Sequence, residues 1–437
     1  MADLRDELLE WLRIPSISAG ERDEAGLREA AAWALRRVQD AGGAGELVDT
    51  PGGAPLVVGE LRAVRDDAPT VLIYGHYDVQ DPGALHEWES PPFAPALRDG
   101  RIYARGAADD KGNFLPMLHE ACALARAGEL PVHVRVLIEG AEETGDDAVS
   151  DWVAADERGA DCAIVFDVDM VDEDTPALTL GTRGMVFADI EVRTGERPGH
   201  SGVYGGAALN AFHALHAGLA AVLPRPDGRL PEPLRAGLEE PTPEELASWA
   251  TLPPGAAALE TGGLRASDPG AGDEFYVRTT AAPSLDVHRM SGGEDRTIVV
   301  ERATATLSVR LAAGQSAAEI SAALERLLRD ALPDGAELSY SASLAEPTRF
   351  DPEAPALRAA RRALARAAGG REPALVRSGG SIPVLSAFAE RGIPCVVAGF
   401  SIPGDNVHAP NEWYRVAGLE QGARTARALY EELAALR

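Results

Sequence analysis

A histidine and an acidic residue follow a short apolar run in the first part of this sequence. His76 and Asp78 stand two residues apart after the run 71–74, so an extended chain would place both side chains on one face. The carboxyl ends of strands are where ligand sites gather in open α/β sheets. A histidine there can bind a metal ion while a nearby carboxylate accepts the proton of its other ring nitrogen. A satisfied surface histidine is the alternative interpretation of His76.

Two further segments carry carboxylates at comparable places. Residues 105–113 read RGAADDKGN and hold Asp109 at the start of a predicted helix, where acids also serve simply as caps. Residues 139–145 read EGAEETG and set Glu142 beside Glu143. Adjacent carboxylates repel one another unless a cation lies between them or they point in different directions. One of them could bind a metal ion while the other handles a proton, and a solvated acidic loop is the alternative.

The last two segments complete a mixed set of ligands. Asp167 and Asp169 follow the apolar run 162–166, and His408 lies in the polar loop 403–412. Histidine and carboxylate ligands without cysteine suit zinc, manganese or cobalt. A carboxylate shared between two ions would give a two-metal site with the ions roughly 3.5–4 Å apart.

Other histidines are weaker candidates. His200 lies in the glycine-rich loop 198–206, where the backbone can approach a substrate closely, although an ordinary loop histidine is an equal alternative. His213 and His216 are spaced i, i+3 on a predicted helix without an evident carboxylate partner, so we interpret them as structural.

The elements that must position these residues alternate between strands and helices. Apolar runs bounded by Gly, Asp and Pro predict buried strands at 55–61, 70–74, 132–138 and 162–166, and periodicity predicts a helix at 113–127. This order predicts parallel βαβ units with helices on both faces of the sheet.

The pattern changes near residue 184 and returns near residue 347. We therefore predict an α/β catalytic domain in two parts, 1–183 and 347–437, whose mixed, mostly parallel sheet is flanked by helices. Residues 184–346 alternate like half-exposed strands and helices and predict an inserted α+β domain. Within it, residues 224–282 are rich in Pro, Gly and Ala and predict a long irregular excursion.

Composition excludes several classes of protein and partner. The 437 residues carry 41 basic and 69 acidic side chains, a net charge of −28, which disfavours nucleic acid and anionic membrane partners. Three distant cysteines argue against a disulfide framework, and the amphipathic start lacks a secretory apolar core. No run of 18 apolar residues occurs, so we expect a cytoplasmic protein. Lys111 is the only lysine in the chain.

Six motifs together resemble a known family. They occur in the order GHYDVQ, RGAADDKGN, EGAEETG, HSGVYGG, GGSIPV and DNVHAPNE and extend over nearly the whole chain. The set is similar to the di-zinc metallopeptidases that include carnosinase-like dipeptidases, succinyl-diaminopimelate desuccinylase and glutamate carboxypeptidase. HSGVYGG and GGSIP most resemble the branch of carnosinase and cytosolic nonspecific dipeptidases.

The resemblance implies a site with two divalent metal ions. Asp109 would bridge the ions, His76 and Asp167 would complete one metal site, and Glu143 and His408 would complete the other. Zinc is the first expectation, with manganese and cobalt as alternatives.

The resemblance also implies catalytic and substrate-binding residues. Glu142 would be the general base, and Asp78 would orient the metal ligand His76. The inserted lid domain would mediate a homodimer in which His200 reaches the partner's site to stabilise the tetrahedral intermediate. Arg310 would bind the substrate's carboxylate. The loop that cradles the substrate backbone would consist of Gly379, Gly380 and Ser381.

These features predict a metallo-dipeptidase acting on small peptides. Asp167 favours this activity, because family members that act as carboxypeptidases and deacylases usually have glutamate at the matching place. An N-acyl-amino-acid amidohydrolase or carboxypeptidase of the same family is the alternative. A catalytically inactive binding protein on this fold is a third interpretation, and the intact ligand set argues against it. Residues 224–282 depart from the dipeptidase pattern, which leaves the substrate and any role of His288 open.

Overall fold

A computed structural model describes residues 3–380 and 382–436 of the chain. The chain divides into two compact units, of which the first comprises Met1–Leu180, Phe350–Val376 and Pro383–Arg437. The second comprises Gly181–Arg349 and Arg377–Ile382. No helix in the described part of the chain is both long enough and apolar enough to cross a membrane.

Strands occur in both units and are numbered in chain order. They are β1 (Ala44–Val48), β2 (Leu56–Leu61), β3 (Thr70–His76), β4 (Ala96–Arg98), β5 (Arg101–Tyr103), β6 (His133–Glu139), β7 (Cys162–Phe166), β8 (Ala177–Thr182), β9 (Gly184–Arg193), β10 (Gly199–His200), β11 (Ser284–Gly292), β12 (Ile298–Val299), β13 (Arg302–Leu311), β14 (Glu337–Ala345), β15 (Thr348–Arg349), β16 (Ala374–Ser378), β17 (Cys395–Ala398) and β18 (Trp413–Arg415).

The α-helices are numbered in the same way. They are α1 (Leu4–Leu12), α2 (Glu24–Asp40), α3 (Lys111–Ala127), α4 (Ala148–Ala155), α5 (Ser201–Tyr204), α6 (Ala211–Val222), α7 (Pro243–Trp249), α8 (Gly255–Thr261), α9 (Ala317–Ala331), α10 (Pro355–Ala367), α11 (Pro383–Glu390) and α12 (Val416–Leu433).

The first unit is built on a mixed sheet with the strand order β1-β2-β6-β3-β7-β17-β8. The central pairs β6–β3, β3–β7 and β7–β17 are parallel, whereas β1–β2, β2–β6 and β17–β8 are antiparallel. The parallel strands are almost wholly buried, as expected for strands covered on both faces. Their carboxyl ends consequently share one edge of the sheet.

Helix α3 begins two residues after Asp109 of the predicted site. All of its residues from Lys111 to Leu118 are buried. The helix ends at Gly128, which adopts φ +67° in the left-handed region that favours glycine, and its N–H donates to carbonyls of the last turn. The Lys111 ammonium donates to the carbonyl oxygens of Trp11 at 3.3 Å and Ile14 at 3.0 Å, which ties α3 to the last turn of α1 and to the chain after it.

The second unit contains a four-stranded antiparallel sheet with the order β11-β13-β9-β14. Most of β13 is buried, and it forms one core with the apolar sides of α6 and α9 and with β9, of which alternate residues are buried. This is the half-buried, period-two pattern expected when helices cover one face of a sheet.

The predicted fold class is confirmed: the chain contains an α/β unit with a mixed sheet and a separate α+β unit. The strands predicted at 70–74, 132–138 and 162–166 are confirmed as β3, β6 and β7. The segment 224–282 was expected to be irregular, yet it contains α7 and α8. Helix α7 forms there because Thr242 and Glu245 make a capping box and a proline occupies the first turn.

Candidate metal centre

The carboxyl ends of β3 and β7 bring two predicted ligands to one edge of the sheet. His76 is the last residue of β3, and Asp167 follows the last residue of β7. The His76 Nε2 atom lies 3.0 Å from Asp109 Oδ1 and 4.0 Å from Asp167 Oδ1. Potential ligand atoms of these three residues lie within 4.8 Å of one another. They form the first ligand group.

A second ligand group shares the same aspartate. His408 Nε2 lies 2.9 Å from Asp109 Oδ2 and 3.1 Å from Glu143 Oε2. Asp109 therefore presents one carboxylate oxygen to each group. The structure brings together all five residues that the family resemblance implies as metal ligands. Among the described residues, Asp169 belongs to neither group.

The chemistry of these side chains fits two divalent cations. Burial raises the pKa of Asp167 well above its ordinary value, and the charges of Asp109, Glu142 and Glu143 add to this shift although His76 opposes it. The carboxylates of Asp109 and Glu143 raise the pKa of His408 to about 10. Carboxylates crowded together with two histidines need additional positive charge, which two divalent ions would provide.

Asp78 links the two ligand groups. The His76 Nδ1 atom lies 3.1 Å from the Asp78 backbone oxygen and 3.3 Å from Asp78 Oδ1. The other carboxylate oxygen of Asp78 accepts a hydrogen bond from the Glu143 backbone N–H at 3.2 Å. One buried carboxylate thus contacts a ligand of the first group and the backbone of a ligand of the second.

Ser18 is a contributor that the sequence did not indicate. Its hydroxyl donates to Asp78 Oδ2 at 2.5 Å. The segment from Ser16 to Ser18 lies beside the chain that follows β3, because the Ser18 N–H donates to the Val79 carbonyl at 3.2 Å and the Val79 N–H donates to the Ser16 carbonyl at 2.9 Å. Sixty positions separate Ser18 from Asp78, so no local spacing could reveal this contact.

The loop that carries Asp109 is held by Glu412, which also was not predicted. The buried Glu412 carboxylate accepts hydrogen bonds from the backbone N–H groups of Gly106, Ala108 and Asp109 at 2.9, 2.8 and 3.2 Å. The Arg105 guanidinium donates to the same carboxylate at 2.7 Å. Glu412 lies four residues after His408 in the motif DNVHAPNE, and this position was its only signal in the sequence.

Glu142 lies at the start of the 3₁₀ turn Glu142–Thr144. Burial and the charges of Asp109 and Glu143 raise its pKa to about 7, although His76 opposes this shift. A carboxyl group with a pKa near neutrality can accept a proton and return it at neutral pH. Glu143 is held separately, because Gln80 donates to its Oε2 atom at 2.9 Å.

The remaining predicted site residues belong to the second unit. His200 precedes α5, and its Nδ1 atom accepts a hydrogen bond from the Gly202 N–H at 3.0 Å. Arg310 lies near the end of β13. The Gly379 carbonyl accepts from Arg183 Nε at 3.1 Å, and the Gly380 carbonyl accepts from the Arg183 N–H at 3.1 Å. Ser381 lies outside the described residues. The roles of these residues remain predictions.

The sequence and fold match known proteins over most of the chain. The family model described as Peptidase family M20/M25/M40 matches residues 72–432. A cysteinylglycine-S-conjugate dipeptidase from Corynebacterium striatum is 31% identical over 401 residues, covering 88% of this chain and 85% of that protein. A Beta-Ala-His dipeptidase from Homo sapiens is 27% identical over 405 residues, covering 87% of this chain and 78% of that protein.

A solved structure matches the whole chain. The M20 family metallo-carboxypeptidase from Sulfolobus solfataricus superposes with a TM-score of 0.87 at 25% identity. The match covers 100% of both chains.

Proposed function

Because this chain belongs to the M20/M25/M40 peptidase family, we propose that it is a metallo-dipeptidase that hydrolyses the peptide bond of dipeptides. The predicted family resemblance is confirmed by this membership. The observation that carries the proposal is the shared Asp109 carboxylate, which offers one oxygen to each of two ligand groups beside the near-neutral Glu142. The dipeptidase relatives from Corynebacterium striatum and Homo sapiens support peptides of two residues as substrates.

Five residues would hold two divalent metal ions. His76 and Asp167 would bind one ion, Glu143 and His408 would bind the other, and Asp109 would bind both. We propose zinc, with manganese and cobalt as alternatives that this ligand set also accepts. Such ions would supply Lewis-acid chemistry, lowering the pKa of water and polarising a carbonyl oxygen.

Glu142 would move the proton of the reaction. Its carboxylate accepts a proton from water while the water oxygen adds to the carbonyl carbon of the peptide bond. When the C–N bond breaks, Glu142 returns the proton to the amine that leaves. The pKa of about 7 in the metal-free protein means that Glu142 can change its protonation state near neutral pH. Asp78 keeps the imidazole of His76 oriented during these steps.

Residues of the second unit would bind the substrate. We assign residues 184–346 to an inserted lid domain that forms a homodimer, with His200 of the partner subunit donating to the oxyanion of the tetrahedral intermediate. Arg310 would bind the terminal carboxylate of the dipeptide in a planar, two-bonded arrangement. Gly379, Gly380 and Ser381 would receive the substrate backbone.

A second candidate is an N-acyl-amino-acid amidohydrolase or carboxypeptidase. The likeness to the metallo-carboxypeptidase from Sulfolobus solfataricus favours it, since that structure matches this chain over its full length. The same metal ions and the same proton carrier would serve this reaction, and only the group on the substrate nitrogen would differ. Asp167, in the place where the resemblance expects glutamate for such enzymes, favours the dipeptidase.

A hydrolysis panel tests the proposal. Protein reconstituted with zinc, manganese or cobalt would receive simple L,L-dipeptides, N-acetyl amino acids and N-succinyl amino acids, each with and without chelator. We expect chelator-sensitive cleavage of dipeptides. Glu142→Gln should retain its metal ions and lose about 10²–10⁴-fold in kcat. Cleavage of acylated amino acids alone would replace the proposal with the second candidate, and unchanged turnover in Glu142→Gln would remove Glu142 from its role.

A further inference from the structure

The second unit contains a cavity of about 740 Å³ whose lining lies entirely within residues 183–286. Apolar side chains such as Leu230, Val277 and Leu285 form part of its wall. Five arginines line it as well, in a chain whose net charge is −28. They are Arg183, Arg225, Arg229, Arg235 and Arg278.

Arg278 is already neutralised by carboxylates of the cavity wall. Its Nη2 atom donates to Asp268 Oδ1 at 3.1 Å, its Nη1 atom contacts the other oxygen of Asp268, and its Nε atom donates to Glu274 at 2.9 Å. The lining carboxylates that remain are Glu240 and Asp286. Over the whole lining, five arginines face four carboxylates, so the wall carries one more positive than negative formal charge.

Two of these arginines flank a tight turn. The Arg225 N–H donates to the Arg229 carbonyl at 2.9 Å, and the turn between them contains Gly228 with φ +76°. A Cβ atom at Gly228 would lie 2.4 Å from Nη1 of Arg278, so this turn packs directly on the neutralised arginine. Within the described residues, neither Arg225 nor Arg229 forms an ion pair of its own.

The cavity adjoins the residues that we propose bind the substrate. Arg183 Nη1 donates to Ser284 Oγ at 3.1 Å, and Arg183 Nε donates to the Gly379 carbonyl at 3.1 Å. Ser284 also lines the cavity and stands directly opposite Arg310 in the pairing of β11 with β13. A dipeptide held by Arg310 and Gly379 therefore has this cavity beside it.

We propose that the cavity receives the acidic side chain of the substrate's C-terminal residue, so that dipeptides ending in glutamate or aspartate are preferred. This inference rests on the proposed dipeptidase function. Guanidinium groups pair with carboxylates through charge-assisted hydrogen bonds, whereas a glutamine side chain of the same shape offers no charge. The apolar wall would contact the methylene groups of the same side chain.

Binding and hydrolysis of matched dipeptides test this assignment. Isothermal titration calorimetry with the zinc-loaded Glu142→Gln variant would compare Ala-Glu with Ala-Gln, which differ in charge and not in size. We expect Ala-Glu to bind about tenfold more tightly. The double substitution Arg225→Gln and Arg229→Gln in the same background should reduce this ratio to about twofold. Arg265→Gln is the control, because Arg265 is exposed in the same segment and does not line the cavity.

The outcomes separate this inference from the proposed function. Equal affinity for Ala-Glu and Ala-Gln, or a ratio that the double substitution leaves unchanged, would overturn the cavity assignment alone. Absence of hydrolysis of every dipeptide by the wild-type protein would overturn the proposed function instead. A preference for Ala-Glu that Arg265→Gln reduces as strongly would also overturn the assignment, since general surface charge would then explain it.

Discussion

Buried carboxylates in the two units of this protein have different positively charged partners. In the second unit, Glu245 accepts hydrogen bonds from Arg377 at 2.8 and 3.1 Å and from Arg349 at 3.0 Å. In the first unit, the carboxylates of the metal centre meet the imidazoles of His76 and His408 instead. Arginine is always charged, whereas an imidazole carries charge only when protonated.

The pKa values follow this difference. Burial alone would raise the pKa of Glu245, but its hydrogen bonds to Arg377 and the nearby charges hold that pKa below the ordinary value. Burial raises the pKa of Asp167 well above its ordinary value and that of Glu142 to about 7. Glu245 is therefore balanced by arginines within the chain, whereas the carboxylates around Asp109 would be balanced by cations bound from outside.

Removing the shared carboxylate should have the largest effect. Asp109→Asn leaves each ligand group without its common anionic oxygen, so the protein should bind at most one metal ion. We expect kcat/KM for dipeptides to fall by more than about 10³-fold, since the metal ions supply several kcal/mol of transition-state stabilisation. Metal content by plasma mass spectrometry and steady-state kinetics would measure both effects.

The control for this substitution is Asp40→Asn, which changes an exposed aspartate at the end of α2. It should retain metal ions and activity. Two bound ions in Asp109→Asn would contradict the sharing of this carboxylate.

Removing the anion of the Glu245 cluster should lower the stability of the protein and leave metal binding unchanged. Glu245→Gln can preserve the capping box of α7, because glutamine serves there as well as glutamate, but it leaves Arg377 buried without its negative partner. We expect the free energy of unfolding to fall by about 3–5 kcal/mol with metal binding at the centre retained. Urea titration followed by circular dichroism would measure the change. Loss of metal ions from the folded variant would contradict the independence of the two clusters.

The stability contributed by Glu245 should depend on pH in a defined direction. Its pKa is lower in the folded protein than the ordinary value of 4.5, so its contribution is complete above about pH 4.5. That contribution is lost as the pH falls through the lower, folded value. The difference in unfolding free energy between wild type and Glu245→Gln should therefore shrink below pH 4.5. A difference that stays constant down to pH 3.5 would show that the charge of Glu245 is not its source.

The sequence predicted one of these clusters and not the other. The ligands His76 and Asp167 follow buried strands, and because parallel strands end at one edge of a sheet, their meeting could be expected from their positions. Glu245 and Arg377 lie 132 residues apart, and neither follows a strand in a way that indicates a partner. Contacts of this kind depend on tertiary packing, and the spacing of residues along the chain does not predict them.

The residues that hold the metal ligands in place were equally difficult to predict from the sequence. Glu412 reaches the backbone of Gly106 across 306 positions, and Ser18 reaches Asp78 across 60. Serine and glutamate at these places look like ordinary loop residues until the fold brings them to the metal centre. Sequence therefore indicated the residues that touch a ligand more readily than those that hold them.

The smallest expected effect comes from Ser18→Ala, which removes a hydrogen bond one step behind the ligand His76. Without the Ser18 hydroxyl, Asp78 loses a donor to Oδ2 and can turn away from the imidazole. Partners that orient ligands typically change metal affinity by 10–100-fold, and Ser18 acts through Asp78, so we expect about a tenfold loss of zinc affinity. Competition with a chromogenic chelator would measure it.

Two neighbouring variants decide whether Ser18 acts through its hydroxyl or merely through packing. Ser18→Thr keeps the hydroxyl and should restore zinc affinity toward wild type. Ser16→Ala removes a hydroxyl from the same segment that donates to the Tyr77 carbonyl at 2.6 Å and not to Asp78. If Ser16→Ala weakened zinc binding as much as Ser18→Ala did, the effect would come from the packing of residues 16–18 beside the chain that follows β3, and not from the Ser18 hydroxyl. If Ser18→Ala alone weakened it, the metal centre would depend for its orientation on a residue from the start of the chain, unlike the Glu245 cluster.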